Sequence, residues 1–168
     1  FKDKVVSVIG GSNTALTAAL LLAEHSKKIN IVYRGSSFFR AEPSWIKQVE
    51  ENPKINLVFN SIPIEIKGNK KVDSLLVQDK ETKEHREIPN DGVFIEIGYT
   101  PRKELPSLLN LERTEQGYIK VNKKQETSLN GIYAAGDTTD NPLKQVITSC
   151  SEGAIAASSA YEELQKQK

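Results

Sequence analysis

The chain has 168 residues, 38% of them hydrophobic and 27% charged, with a formal net charge of +1. That length holds one ordinary domain, or one domain and part of another, and the composition is that of a globular chain rather than a disordered one. Scattered, balanced charges argue against nucleic acid, no apolar run reaches the ~20 residues of a membrane span, and a single cysteine, Cys150, excludes an intrachain disulfide and suits a reducing, cytoplasmic compartment.

Residues 4–9, KVVSVI, form a β-branched run that ends in Gly10-Gly11, which predicts a buried parallel strand. Residues 13–25 repeat Ala and Leu at helical spacing. KINIVYR (28–34) reads as a second strand. PSWIKQVEEN (43–52) opens on Pro43, which suits a first helical turn, and sets Trp45, Ile46 and Val49 on one face. INLVFN (55–60) is a third strand. This β-α-β-α-β order predicts an α/β fold with a parallel sheet and right-handed crossovers.

The pattern then changes. PIEIKG, VDSLLVQDK and HREIPN are short or alternating, with polar turns at Gly68-Asn69 and Glu81-Thr82-Lys83, which predicts a small antiparallel β excursion. DGVFIEIG (91–98) returns to a buried parallel strand. YTPRKELP (99–106) is a polar, proline-bearing connector and a candidate domain boundary. YIKV (118–121) and GIYAAG (131–136) read as two short strands, and residues 142–168 as one long helix. The chain contains no methionine and starts at Phe1. A bulky second residue normally preserves an initiator methionine, so the sequence is expected to be a piece of a longer protein.

A strand that enters a helix through glycines points backbone N–H groups at one spot, at the positive end of the helix dipole. Gly10 suits the tight turn and Ala15 suits close helix–strand packing, but Ser12 stands where a second glycine is usual in G-x-G-x-x-G/A. The loop alone fits an ordinary strand–helix turn as well as it fits a nucleotide site. The end of the second strand adds to this. Residues 30–34, Asn-Ile-Val-Tyr-Arg, lack the carboxylate that accepts from an NAD ribose, and Arg34 and Arg40 follow instead. Guanidinium forks match a 2′-phosphate, so the pair favours NADP over NAD, unless both are solvated surface residues.

In this order, VIGGSNTALTAALLLAEHSKKINIVYRGSSFFRAEP, DGVFIEIGYTP and TSLNGIYAAGDTTDNPLKQVITSCSEGAIAASSA resemble the thioredoxin reductase family of flavoproteins. The match covers nearly the whole chain and keeps the family's spacing. It implies a Rossmann-like three-layer NADPH-binding domain over residues 1–100 and the C-terminal segment of an FAD-binding domain over 101–168. Gly10, Gly11, Ser12, Asn13 and Thr14 would line the NADPH pyrophosphate, with Arg34 and Arg40 on the 2′-phosphate. Gly35 stands where the family commonly has another arginine, and Tyr33 where it commonly has histidine. Ile97 and Gly98 would lie at the end of a central strand crossed by the cofactor. Gly136 and Asp137 of GIYAAGD would meet the FAD ribityl chain. Lys144, Gln145 and Val146 match the family's helix start at the flavin's pyrimidine edge.

The resemblance also implies parts that these residues do not supply: a first FAD half with its own glycine-rich unit, and a C-x-x-C pair just before the first strand. Cys150 is expected to be a buried, inert thiol, and His25 and His85 to be surface residues without a metal. The implied parent reaction passes a hydride from NADPH to FAD, and reducing equivalents from there through a dithiol to thioredoxin or a similar disulfide protein. This chain alone is expected to be inactive. Two alternatives stand beside that expectation: a dithiol-less relative that serves ferredoxin or another acceptor, and a degenerate nucleotide-binding module. The segments after residue 101 are expected to carry apolar faces that need cover, from the missing half or by homo-oligomer formation, with a poorly soluble monomer as the other outcome.

Overall fold

The computed structural model describes residues 1–166 and divides the chain into two compact units, Phe1–Gly98 and the part from Tyr99 onward. In the first unit, β1 (Val5–Ile9), β2 (Lys28–Val32), β3 (Ile55–Val58) and β7 (Gly92–Ile95) form a parallel sheet in the order β3-β2-β1-β7. Helix α1 (Asn13–His25) joins β1 to β2, and α2 (Pro43–Glu50) joins β2 to β3. Strand alternation sends Val6, Val8, Ile29 and Ile31 to the helix-covered face. There α1 buries Ala15, Leu16, Ala19 and Ala23, whose small side chains bring the helix close, and α2 adds Val49. Trp45 and Ile46 pack on the same cluster, as their spacing predicted. Burying each large aliphatic side chain here contributes about 1.5–3 kcal/mol relative to exposure.

The opposite face carries no helix. The excursion supplies β4 (Ser61–Gly68), β5 (Val72–Asp79) and β6 (His85–Pro89), an antiparallel sheet in the order β4-β5-β6. Leu75 and Val77 of β5 pack on Ile9, Val32 and Val58. The same layer holds buried polar groups, each with a partner: Ser7 Oγ donates to Asn90 Oδ1 at 2.8 Å, and Asn56 Nδ2 donates to Asn30 Oδ1 at 3.1 Å. Strand β4 starts two residues before the predicted segment. It tolerates Pro63 because it is an edge strand with a register shift after that proline. The layers are therefore helices, parallel sheet and antiparallel sheet, the three-layer α/β arrangement expected. β7 is an edge strand of its sheet rather than a central one.

Beyond Gly98 several expectations change. Part of the predicted connector folds as α3 (Glu104–Leu108), with Pro106 in the first turn, where a missing N–H costs no hydrogen bond. YIKV and GIYAAG form no strands. They are held by isolated bridges, Ile119 with Arg113 and Thr139, and Glu126 with Tyr133, because turns claim their backbone groups. The Ile119 N–H donates to the Thr138 carbonyl, and the Ala134 N–H to the Gln125 carbonyl. The long helix α4 (Val146–Lys166) begins four residues later than predicted. The Thr148 hydroxyl donates to the Leu143 and Gln145 carbonyls, both at 2.8 Å, and so holds the preceding segment in a turn. The last two residues of the predicted helix lie outside the described residues. Cys150 is exposed rather than buried, because it falls on the outer face of α4. His25 and His85 are exposed, as expected.

Candidate functional site

At the end of β1 the chain turns through Gly10, whose φ is +147°. A Cβ at this position would stand 2.2 Å from the Glu96 carbonyl oxygen, so only glycine fits. The Gly10 N–H donates to the Val32 carbonyl at 3.0 Å, and the Glu96 N–H donates to the Ile9 carbonyl at 2.8 Å. These bonds draw the ends of β1, β2 and β7 together. Ser12 is the N-cap of α1, but its hydroxyl caps no helix amide and no acidic residue occupies the first turn. The first-turn N–H groups thus keep their positive end of the dipole free of a side-chain partner.

β2 delivers Tyr33 and Arg34 to the same end. The buried Tyr33 ring lies beneath Gly11, where a Cβ would come within 2.5 Å of it. It stacks on Phe38 with centroids 5.7 Å apart, and Phe38 meets Phe59 edge-on at 5.0 Å. This cluster sets the course of residues 35–41. It leaves Phe39 outside, with the Arg40 guanidinium 5.4 Å from its ring centroid. Gly10, Gly11, Ser12, Arg34, Arg40, Ile97 and Gly98 thereby line one cavity of about 380 Å³, beside Tyr33, Phe39 and residues 61–63 of β4. It opens past the carboxyl ends of the parallel strands, where α/β sheets hold ligands.

Asn13 and Thr14 do not line that cavity. The Asn13 Nδ2 donates to Glu42 Oε1 at 2.9 Å, and Asn13 Oδ1 accepts from the Glu42 N–H at 2.7 Å. The Thr14 carbonyl accepts from Thr17 Oγ1. Sequence reasoning did not single out Phe39 or Glu42. The Phe38-Phe39 pair between two arginines was the signal available for the first, and nothing local marked the second.

In the other unit, Gly136 (φ +79°) opens a 3₁₀ turn over Gly136–Thr138. Its N–H donates to the carboxylate of Glu152, a buried acid on α4, at 2.6 Å. Thr139 Oγ1 donates to the Gly136 carbonyl at 2.8 Å and closes the turn. Asp137 is exposed, and among the described residues its one side-chain hydrogen bond is from the Ser149 hydroxyl, at 3.4 Å, so its oxygens remain able to accept from a hydroxyl-bearing ligand. Lys144 Nζ donates to the Thr139 carbonyl and stands 4.5 Å from the Tyr118 ring centroid. The Gln145 N–H donates to Thr148 Oγ1 at 3.1 Å, and Val146 is the first residue of α4. No local pattern singles out Glu152, which fixes the Gly136 turn.

Among the described residues no group of three or more His, Cys, Asp or Glu is placed to hold a metal ion, and no helix is long and apolar enough to cross a membrane.

Residues 1–153 match the family described as pyridine nucleotide-disulphide oxidoreductase. The thioredoxin reductase of Buchnera aphidicola subsp. Acyrthosiphon pisum is 38% identical, over 94% of this chain and 52% of that protein. That of Peptoclostridium litorale is 37% identical, over 94% and 51%. Among solved structures, Lactococcus lactis thioredoxin reductase superposes with a TM-score of 0.87 at 32% identity, covering 96% of this chain and 53% of its own. T. acidophilum thioredoxin reductase gives 0.86 at 33%, covering 97% and 53%. The chain spans about half the length of the curated relatives it matches.

Proposed function

The chain belongs to the pyridine nucleotide-disulphide oxidoreductase family, and from that premise we propose that its first unit seats NADPH while the part from Tyr99 onward forms one wall of an FAD site, within a thioredoxin reductase-like flavoenzyme. The observation that carries the reading is the cavity at the Gly10 turn, where uncapped helix amides and two arginines share one wall system. A pyrophosphate fits the amides of Gly11 and Ser12 at the positive end of α1. The forks of Arg34 and Arg40 suit a 2′-phosphate, and residues 30–34 bring no carboxylate to repel it. The exposed Phe39 ring offers a flat face to a purine. Ile97 and Gly98 bound the side opposite the arginines' strand, beyond β7.

Asp137 would accept from a ribityl hydroxyl, on a turn held rigid by Glu152 and Thr139. Lys144, Gln145 and Val146 would present the start of α4, whose dipole favours negative charge on a reduced ring. When bound, the nicotinamide supplies a hydride and the flavin relays the electron pair to a disulfide. The 168 residues hold one cysteine, so the dithiol, the other FAD wall and the disulfide substrate, thioredoxin or a protein like it, come from outside them. The exposed, unpaired Cys150 suits a reducing cytoplasm. Leu108, Val146 and Ile147 are more than three-quarters exposed, and we assign their cover to the other FAD half or to a second copy.

The test is titration of the full 168-residue chain with NADPH and NADH, followed by calorimetry. Saturable binding with NADPH the tighter ligand is expected. Absence of saturable binding by both nucleotides would refute the reading.

A further inference from the structure

We propose that the reciprocal Asn13–Glu42 pair is a positioning device that sets the cavity's preference for a 2′-phosphate by holding Arg40 in its wall; the inference rests on the dinucleotide reading above and goes beyond it. Residues 35–41 run from β2 to α2 with no regular structure. Their beginning is tied: the Asn60 N–H donates to the Gly35 carbonyl at 3.0 Å, and Lys80 Nζ to the Arg34 carbonyl at 3.2 Å. Their middle is tied by Phe38 in the aromatic cluster. The end, which carries Arg40, depends on Glu42.

Glu42 is the N-cap of α2, yet its side chain caps no amide of that helix. A polar N-cap side chain ordinarily serves its own helix. Here the carboxylate accepts from Asn13 Nδ2 instead, and Asn13 Oδ1 accepts a second hydrogen bond from the Glu42 N–H. Asparagine is suited to this because it donates and accepts at once. Arg40 itself is exposed, with its guanidinium over the Phe39 ring. Its place therefore follows from where the backbone two residues on is pinned. Asn13 is the first residue of α1, so the pair joins the helix end that faces one phosphate to the loop that faces the other. The spacing between the two anion seats is fixed by these two hydrogen bonds.

The experiment measures NADPH and NADH dissociation constants on the full chain for wild type, Asn13→Ala, Glu42→Ala, Glu42→Gln and the double alanine variant, with tryptic cleavage after Arg40 as a second readout. Glu42→Ala removes the side-chain hydrogen bond alone and is expected to weaken NADPH about fivefold, whereas Asn13→Ala removes both bonds and is expected to weaken it more, about tenfold, with NADH unchanged in each. The double variant is expected to be no worse than Asn13→Ala, because that change already removes the whole device. Glu42→Gln keeps an acceptor for Asn13 Nδ2 and is expected to keep the discrimination. Cleavage after Arg40 is expected to quicken in both alanine variants. Equal weakening of both nucleotides by Asn13→Ala, with Glu42→Ala silent, would overturn the proposal and make Asn13 a pyrophosphate ligand. Unchanged cleavage would also overturn it. A wild-type chain that binds neither nucleotide removes the dinucleotide reading and this inference with it, whereas NADPH-tight binding that survives both alanine changes removes the inference alone.

Discussion

Replacing Gly10 by alanine tests the claim that the cavity floor is made by backbone approach. The new Cβ would sit 2.2 Å from the Glu96 carbonyl oxygen, and the alanine would have to adopt a φ of +147°. Backbone strain of this kind costs about 1–3 kcal/mol, and forcing extra volume into a packed site about the same again, so the total is about 2–6 kcal/mol. Against a typical domain stability of about 5–15 kcal/mol this is a large fraction. The control is Gly98→Ala, where φ is +97° but a Cβ meets nothing within 4 Å, so only the strain of about 1–3 kcal/mol remains. The chain's one tryptophan, Trp45, packs on the core of the first unit and reports its unfolding. In urea, with an m-value of about 2 kcal/mol/M, Gly10→Ala is expected to lower the fluorescence midpoint by about 1–3 M. A shift no larger than that of Gly98→Ala would show that Glu96 moves aside freely and that the β1–β7 join does not define the floor.

Arg34→Ala and Arg40→Ala are each expected to weaken NADPH about tenfold and leave NADH within a factor of two, since each removes a charge-assisted hydrogen bond to one phosphate; calorimetric titration checks this. The Val5 N–H, with Lys4 adding, holds the Asp91 carboxyl below its ordinary value of 3.8. The unfolded chain binds that proton more tightly, so the stability Asp91 contributes is complete above pH 3.8 and is lost as pH falls through the lowered folded value. Asp91→Asn is accordingly expected to flatten the acid side of a melting-temperature profile, and superimposable profiles would contradict this. Sedimentation of the isolated chain is expected to show dimers or larger species that cover Leu108, Val146 and Ile147, and a sharp monomer peak would count against an interface there.

The first unit was legible in the sequence because its elements carry their own signals. KVVSVI and KINIVYR are long β-branched runs, Ala and Leu recur at helical spacing through α1, and Pro43 marks the start of α2. The antiparallel excursion was legible from the change of period after Asn60. YIKV and GIYAAG have strand-like composition, but pairing requires a neighbouring strand, which composition does not encode; turns took their hydrogen bonds instead. Within the candidate site, the glycines and arginines announced themselves by position along the chain. Asn13 belongs to the loop motif, which places it facing the ligand, whereas its side chain is engaged by Glu42 from 29 residues away. Glu152 looked like one more charge on a helix, and its burial under the Gly136 turn depends on tertiary packing.

The hydrogen bond from the Val5 N–H to Asp91 spans a sequence separation of 86. β1 therefore pairs with β7 across both helices and the entire three-stranded excursion, a closure of high sequence separation that carries a large loop entropy. Because Ile97 and Gly98 follow β7, the cavity has no complete rim until that closure occurs. A nucleotide that engages this rim would act as a latch on the finished topology, raising stability by RT ln(1 + [L]/Kd) and slowing the reopening of the β1–β7 pair.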